Sequence, residues 1–184
     1  MRKPLLIVVS GAPGSGKSTL ARALGEHLRL PHIPRDEILR GIEMTEGHPI
    51  DRGGHGIEVY YSVVCRMLDS GISLVTDGTM YKNLSEKDII EHFVSRSTTI
   101  NVHVYAKNEQ ERFVRREQER FGWSNDWVVQ HKKRLTEIYH KTVEPLELDI
   151  PVIRVDATSG YDPPIKEIVS RVRELYSDTR PGIL

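Results

Sequence analysis

Short apolar runs alternate with longer amphipathic stretches along this chain. The run from Leu5 to Val9 shows no polar alternation, which is typical of a strand covered by helices on both faces of its sheet. Strands that alternate with helices predict βαβ units around a parallel sheet. We therefore expect an α/β fold, a three-layer sandwich with a mainly parallel five-stranded sheet. The predicted strands are 5–10, 32–34, 72–77, 99–105 and 151–156.

Most of the segments between these strands have the apolar spacing of helices. Residues 45–56 contain four glycines and one proline without an apolar period, so they are predicted to form a loop. A length of 184 residues fits one compact domain, which we place at 1–184. The predicted helices are 17–29, 36–44, 57–70, 85–95, 108–121, 126–142 and 164–176.

A glycine-rich segment between the first strand and the first helix carries the strongest motif. It fits G-x-x-x-x-G-K-[ST] at every fixed position, in the strand-to-helix context that a phosphate-binding P-loop requires. Its backbone N–H groups would surround phosphate oxygens at the positive end of the helix. The predicted nucleotide-binding residues are Gly11, Ala12, Pro13, Gly14, Ser15, Gly16, Lys17, Ser18 and Thr19.

Three of these residues have individual predicted roles with ATP and Mg²⁺. Lys17 is predicted to be catalytic, bridging the β- and γ-phosphates. Ser18 is a predicted Mg²⁺ ligand, and Thr19 is placed to bond the α-phosphate. The chain has no N-K-x-D-like guanine motif, which weakens a GTPase interpretation.

The run from Gly14 to Ala21, followed by Arg35-Asp36 before a helix, resembles the small P-loop kinases that include the polynucleotide 5′-kinase domain and chloramphenicol phosphotransferase. This AAA-type group of predicted kinases implies a P-loop kinase fold with a helical lid. The resemblance implies that Asp36 is the catalytic base for the acceptor hydroxyl. The alternative is that Asp36 serves only as a helix N-cap.

Two further acceptor-side residues follow from the same resemblance. Relatives usually carry an arginine three residues after the aspartate, but that position holds Leu39 and the arginine is Arg40, the candidate acceptor contact. Asp77 ends an apolar strand and resembles the second acidic residue of these kinases, holding Mg²⁺ through water or orienting the acceptor. It could instead be an ordinary strand-to-turn aspartate. Residues 36–70 are the predicted acceptor-binding region.

Arginines recur at positions 112, 116 and 120, which would form one stripe on a helix. Arg116 and Arg120 resemble the R-x-x-x-R of kinase lids, which implies a catalytic role in neutralising charge on the transferring phosphoryl group. We place the lid at 108–127. The alternative is a solvated helix with Arg–Glu pairs. The segment 155–158 resembles the one that backs the adenine ring.

Charge and composition restrict the partners. Lys+Arg and Asp+Glu both number 26, so no global positive field favours nucleic acid or an anionic membrane. Residues 107–141 nevertheless carry three excess positive charges. The lone Cys65 excludes an intramolecular disulfide, and no apolar run is long enough to span a membrane, so we expect a cytoplasmic protein.

These observations predict an ATP-dependent kinase whose phosphate acceptor is a small-molecule hydroxyl. A nucleic-acid 5′-hydroxyl kinase is possible but less favoured, because the net charge is zero. The alternative from a different class is an ATP-binding regulatory switch with slow hydrolysis. Asp36 argues against that switch, because a switch needs no acceptor base.

Overall fold

The five strands of the computed structural model form one sheet in the order β2-β3-β1-β4-β5, and each of the four pairings is parallel. The structure describes residues 2–50, 54–122, 124, 126, 130 and 132–178. The predicted sheet is therefore confirmed. The strands are β1 Leu5–Ser10, β2 His32–Pro34, β3 Leu74–Asp77, β4 Thr98–Tyr105 and β5 Val152–Asp156.

Seven α-helices are described around the sheet, and one continues directly as the π-helical turn Ile90–Val94. They are α1 Lys17–Leu28, α2 Arg35–Glu46, α3 His55–Asp69, α4 Ser85–Ile89, α5 Glu109–Phe121, α6 Lys132–Thr142 and α7 Ile165–Asp178.

The central strand β1 has no solvent-exposed face. Leu5, Ile7 and Val9 pack into one core with residues of α1 and α7, while Leu6 and Val8 pack into a second core with residues of α3, α4 and the π-helical turn. Alternate side chains of one strand thus reach opposite faces of the sheet, and both faces are buried. This is the predicted three-layer sandwich.

The boundaries differ from prediction in the glycine-rich segment 45–56. Helix α2 continues to Glu46 and ends at Gly47, whose φ of 74° is the left-handed conformation that favours glycine as a helix terminator. Helix α3 already begins at His55, so the predicted loop is shorter at both ends. Residues 51–53 lie outside the described part of the chain.

Two other elements differ from the prediction, one in its length and one in its helix type. Strand β3 begins at Leu74 rather than residue 72, and the predicted helix 85–95 changes from α to π geometry at Ile90. For the predicted helix 126–142, the continuous described part is α6. Residues 123, 125, 127–129 and 131, which include part of the predicted lid 108–127, lie outside the described residues.

Candidate active site

The P-loop connects the carboxyl end of β1 to the start of α1 and packs directly against α5. Gly14 has a φ of 85°, and a Cβ there would lie 2.0 Å from the carbonyl oxygen of Glu109. Only glycine therefore permits this approach between the loop and the first turn of α5. The phenolic hydroxyl of Tyr139, on α6, donates a 2.8 Å hydrogen bond to the carbonyl oxygen of Pro13. Helices α5 and α6 thus both contact the P-loop.

Lys17 is buried beneath the P-loop, with only 6% of its surface exposed. Its ammonium donates a hydrogen bond of 3.3 Å to the carbonyl oxygen of Ala12. Burial lowers the pKa of Lys17 from its ordinary value, while the nearby carboxylates of Asp36 and Asp77 act in the opposite direction. The sequence-predicted residues Lys17, Asp36 and Asp77 therefore share one electrostatic environment.

Asp77 receives hydrogen bonds on both carboxylate oxygens. Ser18 Oγ donates to Oδ2 at 2.6 Å, and His32 Nε2 lies 2.6 Å from Oδ1. Asp77 is only 4% exposed, so these contacts hold the carboxylate in a fixed orientation at the end of β3. The structure thus brings together Ser18 and Asp77, the two predicted metal residues.

His32 is a site residue that sequence reasoning missed. It lies on the short strand β2, which pairs in parallel with β3 so that His32 is opposite Val75 and Pro34 is opposite Asp77. The available signal was that His32 lies two residues before Pro34, which is opposite the acidic residue Asp77. The pairing of β2 with β3 was needed to interpret it.

The donors around the P-loop fit a Mg·nucleotide. Ser15 Oγ is buried and has no hydrogen-bond partner among the residues that the structure describes. An orphaned buried hydroxyl inside a P-loop suits a phosphate oxygen. Ser18 and Asp77 supply the oxygen ligands that Mg²⁺ prefers. Within the described ranges, no group of three His, Cys, Asp or Glu side chains could hold a metal ion.

A cavity of about 500 Å³ is lined by the N-terminal part of α2 and adjoining elements. Its lining residues are Arg35, Asp36, Leu39, Ile57, Tyr61, Thr79, Tyr81, Leu84, Ser85 and Asp88. Part of the predicted acceptor-binding region 36–70 lines this cavity. Five of the lining residues lie between positions 79 and 88, a segment that the sequence analysis did not assign to the acceptor.

Asp36 lies in the first turn of α2 and not at its N-cap, which is Pro34. Its side chain is 54% exposed, and its Oδ1 lies 3.6 Å from Arg35 Nη2. The capping alternative is therefore wrong, because the helix starts one residue before the aspartate. A first-turn carboxylate is still favourable at the positive end of the helix.

Arg35 occupies the cavity, whereas Arg40 does not line it. Arg35 Nη1 donates a 2.8 Å hydrogen bond to the carbonyl oxygen of Thr79, and its side chain is 13% exposed. Arg40 is exposed on α2, and Leu39, its neighbour, is the residue that faces the cavity. The acceptor contact of Arg40 stays a prediction. Sequence reasoning could have found Arg35 instead, because it directly precedes Asp36.

The arginines of α5 have different surroundings. Arg112 donates two hydrogen bonds to the segment after β5, to the carbonyl oxygens of Ala157 at 3.0 Å and Thr158 at 2.7 Å. It thereby fixes α5 to the segment predicted to back the adenine.

Arg116 instead pairs with Glu117, with Nε and Oε1 2.8 Å apart. The pKa of Lys17 is lowered mainly by burial, and the positive charge of Arg116 adds to that effect. Residue 120 belongs to α5, but the side chain of Arg120 lies outside the part that the structure describes.

Comparison with known proteins gives the family. The family described as AAA domain matches residues 6–141. The chain belongs to this AAA domain family. The match covers the P-loop, the residues that line the cavity, and α5. It agrees with the resemblance of the P-loop and Arg35-Asp36 to small P-loop kinases.

Two curated relatives and one solved structure are kinases by description. The AAA domain chain is 35% identical over 86 residues to an adenylate kinase of Chlamydia muridarum, which covers 47% of the chain and 29% of that relative. It is 27% identical over 191 residues to an adenylate kinase of Parabacteroides distasonis, covering 96% of the chain and all of the relative. A candidate kinase from Chloroflexus aurantiacus has a TM-score of 0.78, with 26% identity over 98% of this chain and 100% of that chain.

These comparisons confirm the P-loop kinase type of α/β fold. The chain spans less than a third of the length of the Chlamydia relative, so that match concerns only part of that protein. None of the described helices is long and apolar enough to cross a membrane.

Proposed function

We propose that this AAA domain protein is an ATP-dependent phosphotransferase that moves the γ-phosphate of Mg·ATP to a hydroxyl of a small molecule. One observation carries the proposal. The P-loop lysine and the Ser18–Asp77 pair share their electrostatic environment with Asp36, and Asp36 lines a cavity large enough for a small acceptor.

The nucleotide side of the proposal uses the P-loop from Gly11 to Thr19. Lys17 is placed to bind the terminal phosphates, and its buried position makes its charge act through little intervening water. Ser18 would hold the metal, while Asp77 orients Ser18 and any metal-bound water. Bound Mg·ATP supplies the phosphoryl group that is transferred.

On the acceptor side, Asp36 would receive the proton of the attacking hydroxyl. Its carboxylate is exposed enough to meet a ligand and is oriented by the neighbouring Arg35. This requires a hydroxyl acceptor, because a phosphate acceptor is already ionised at neutral pH and needs no base. Leu39 and Ile57 offer apolar contact to the carbon skeleton of the acceptor.

The lid is proposed at 108–127, with Arg116 and Arg120 over the transferring phosphoryl group. Gly14 and Tyr139 support this proposal, because they connect the P-loop to α5 and α6. A lid anchored at the P-loop can exclude water when nucleotide binds. Arg112 would remain at the base of the lid as an anchor.

The decisive experiment is an ATP-consumption screen over a library of hydroxyl compounds, with mass detection of phosphorylated product. A product that is lost in Lys17→Met and retained in the exposed control Lys166→Met supports the proposal. Phosphorylation of oligonucleotide 5′ ends in preference to every small compound would identify a nucleic-acid kinase. ATP hydrolysis without any phosphorylated product would favour the switch.

A further inference from the structure

Three of the described residues that line the acceptor cavity are charged, and two of them are negative. Arg35, Asp36 and Asp88 are the charged residues among those that line it. We propose that the acceptor is a neutral or cationic hydroxyl compound rather than an anionic one, and that Asp88 determines this preference by binding an ammonium or hydroxyl donor of the acceptor. This inference rests on the proposed function and adds the charge class of the substrate.

Arg35, the cation among the described lining residues, already has partners. Arg35 Nη1 bonds to the carbonyl oxygen of Thr79, and Nη2 lies 3.6 Å from the carboxylate of Asp36. The remaining nitrogen, Nε, is buried and lies 3.0 Å from the position that a Cβ on Gly78 would occupy. The Nε edge of the guanidinium therefore faces Gly78 and is closed to a ligand, while Nη1 and Nη2 already contact Thr79 and Asp36, so an anionic acceptor would have to compete with Asp36 for Arg35.

Asp88 has a different environment. It belongs to α4, and its Oδ2 accepts a hydrogen bond of 3.2 Å from the hydroxyl of Tyr61. Tyr61 is itself held by stacking on the ring of His92, with ring centroids 4.4 Å apart and an angle of 14°. The pKa of Tyr61 is raised, first by burial and then by the charge of Asp88. The phenol thus stays a neutral donor that positions Asp88 without cancelling its charge.

These two environments decide the charge of the ligand. The opposite charges of Asp36 and Arg35 partly cancel. The charge of Asp88 therefore makes the lining of the cavity negative overall. A phosphate or carboxylate on the acceptor would be repelled, whereas an ammonium or hydroxyl group would gain a charge-assisted hydrogen bond. A nucleoside monophosphate therefore does not suit this cavity, although two relatives that match this chain are adenylate kinases.

The test uses three pools of hydroxyl compounds built on the same scaffolds, bearing an ammonium, a neutral or an anionic substituent, with AMP and CMP added to the anionic pool. Binding is measured as the shift in thermal unfolding with Mg²⁺ and a non-hydrolysable ATP analogue, and product is measured by mass with Mg·ATP. We expect binding and product from the cationic and neutral pools. The strongest binding from the anionic pool, or binding from none, would overturn the inference.

The variant Asp88→Asn keeps the shape of the side chain and removes its charge. For ammonium acceptors we expect kcat/KM to fall about tenfold or more, the scale of one hydrogen bond to a charged group, with the KM for ATP unchanged. Glu91→Gln is the matched control, because Glu91 is an exposed residue of the adjoining π-helical turn. Equal activity of Asp88→Asn on every pool would contradict the role of Asp88.

The two measurements separate this inference from the proposed function. Binding that prefers the cationic or neutral pool, with no phosphorylated product, would contradict the phosphotransferase and leave the charge preference supported. Product formation that prefers anionic acceptors would support the phosphotransferase and contradict the charge preference. A stability measurement on Asp88→Asn shows whether lost activity reflects unfolding, and Asp88→Glu should restore part of the ammonium preference.

Discussion

The hydroxyl of Ser18 donates a hydrogen bond of 2.6 Å to Oδ2 of Asp77. This contact joins the first turn of helix α1 to the carboxyl end of strand β3, although the two residues are 59 positions apart in sequence. It brings the hydroxyl expected to bind Mg²⁺ to a buried carboxylate. The other carboxylate oxygen of Asp77, Oδ1, is in contact with His32 Nε2. Ser18 and His32 therefore each bind a different oxygen of Asp77.

The first prediction tests this pair with Asp77→Asn. The amide keeps the size of the side chain but loses its charge, so it should orient a metal-bound water less strongly. We expect the Mg²⁺ concentration for half-maximal activity to rise by about tenfold or more, the usual effect of changing a group behind a metal ligand. A Mg²⁺ titration at saturating ATP measures it. Asp69→Asn, on the exposed end of α3, is the control, and an unchanged Mg²⁺ requirement in Asp77→Asn would remove Asp77 from the metal site.

The second prediction concerns the buried charge of Lys17. Lys17→Met should abolish phosphoryl transfer, because the cation for the terminal phosphates is gone. The folded protein should keep its stability, because methionine fills similar space and removes a charge that burial penalises. Chemical denaturation and turnover are measured together. Wild-type turnover in the folded variant would contradict the P-loop assignment itself.

Sequence reasoning was strong where one local pattern determines both structure and chemistry. The P-loop is such a case, because its glycines, Lys17 and Ser18 occupy fixed spacings between a strand and a helix. The buried run of β1 is another, since its uninterrupted apolar character requires helices on both faces. These elements could be assigned without knowing any contact between distant parts of the chain.

The cavity proposed for the acceptor was harder to predict, because its residues come from separate elements. Asp88 and Tyr61 are brought together by the packing of α3 and α4, and neither has a local motif. Arg40 lies one residue beyond the position at which relatives carry an arginine, and it is Leu39, at that position, that lines the cavity. The regular spacing of the three arginines on α5 also gave no sign that Arg112 binds carbonyl oxygens of the segment after β5.

The third prediction separates a catalytic from a merely local role of Asp36. Asp36→Asn should lower kcat by about a hundredfold or more with little change in the KM for ATP, because general-base catalysis contributes on that scale. Glu37→Gln is a matched control, since Glu37 is the next exposed carboxylate in the same first turn and has the same relation to the helix dipole. Equal activity of the two variants would show that Asp36 is not the base.

The fourth prediction distinguishes the arginines of α5. Arg112→Ala should destabilise the fold by about 1 to 3 kcal/mol, because two carbonyl oxygens lose a charged donor. Arg116→Ala and Arg120→Ala should instead lower kcat by about tenfold or more with little change in stability, and lysine should restore little, because it lacks the guanidinium fork. The exposed Arg115 provides the control. Normal turnover in both Ala variants would return the stripe to a solvated helix.

The final prediction follows from a buried histidine between the P-loop strand and the end of α6. His103 is 2% exposed, its Nδ1 lies 3.1 Å from Ser10 Oγ, and its Nε2 lies 3.1 Å from the carbonyl oxygen of Val143. A carbonyl oxygen only accepts, so Nε2 carries the proton and Nδ1 accepts from the Ser10 hydroxyl. This neutral tautomer connects the residue before Gly11 to the residue after α6.

Burial lowers the pKa of His103 below its ordinary value of 6.5, and the positive charge of Arg154 adds to that effect, while the bond to Val143 and the charge of Glu144 oppose it. Below about pH 6.5 the unfolded chain therefore binds a proton that the folded protein resists. The contribution of neutral His103 to the free energy of unfolding is therefore complete above pH 6.5. It is lost as the pH falls from 6.5 towards the lowered pKa of His103.

Denaturant unfolding of the wild type and of His103→Gln between pH 7.5 and 5 measures how much His103 contributes to the pH dependence of the free energy of unfolding. Glutamine can still donate to the carbonyl oxygen of Val143 but does not titrate, so the variant should lose less free energy of unfolding over this range than the wild type. His140→Gln, at an exposed position of α6, should follow the wild type. If His103→Gln and the wild type have parallel pH profiles, protonation of His103 does not weaken the connection between the P-loop strand and α6.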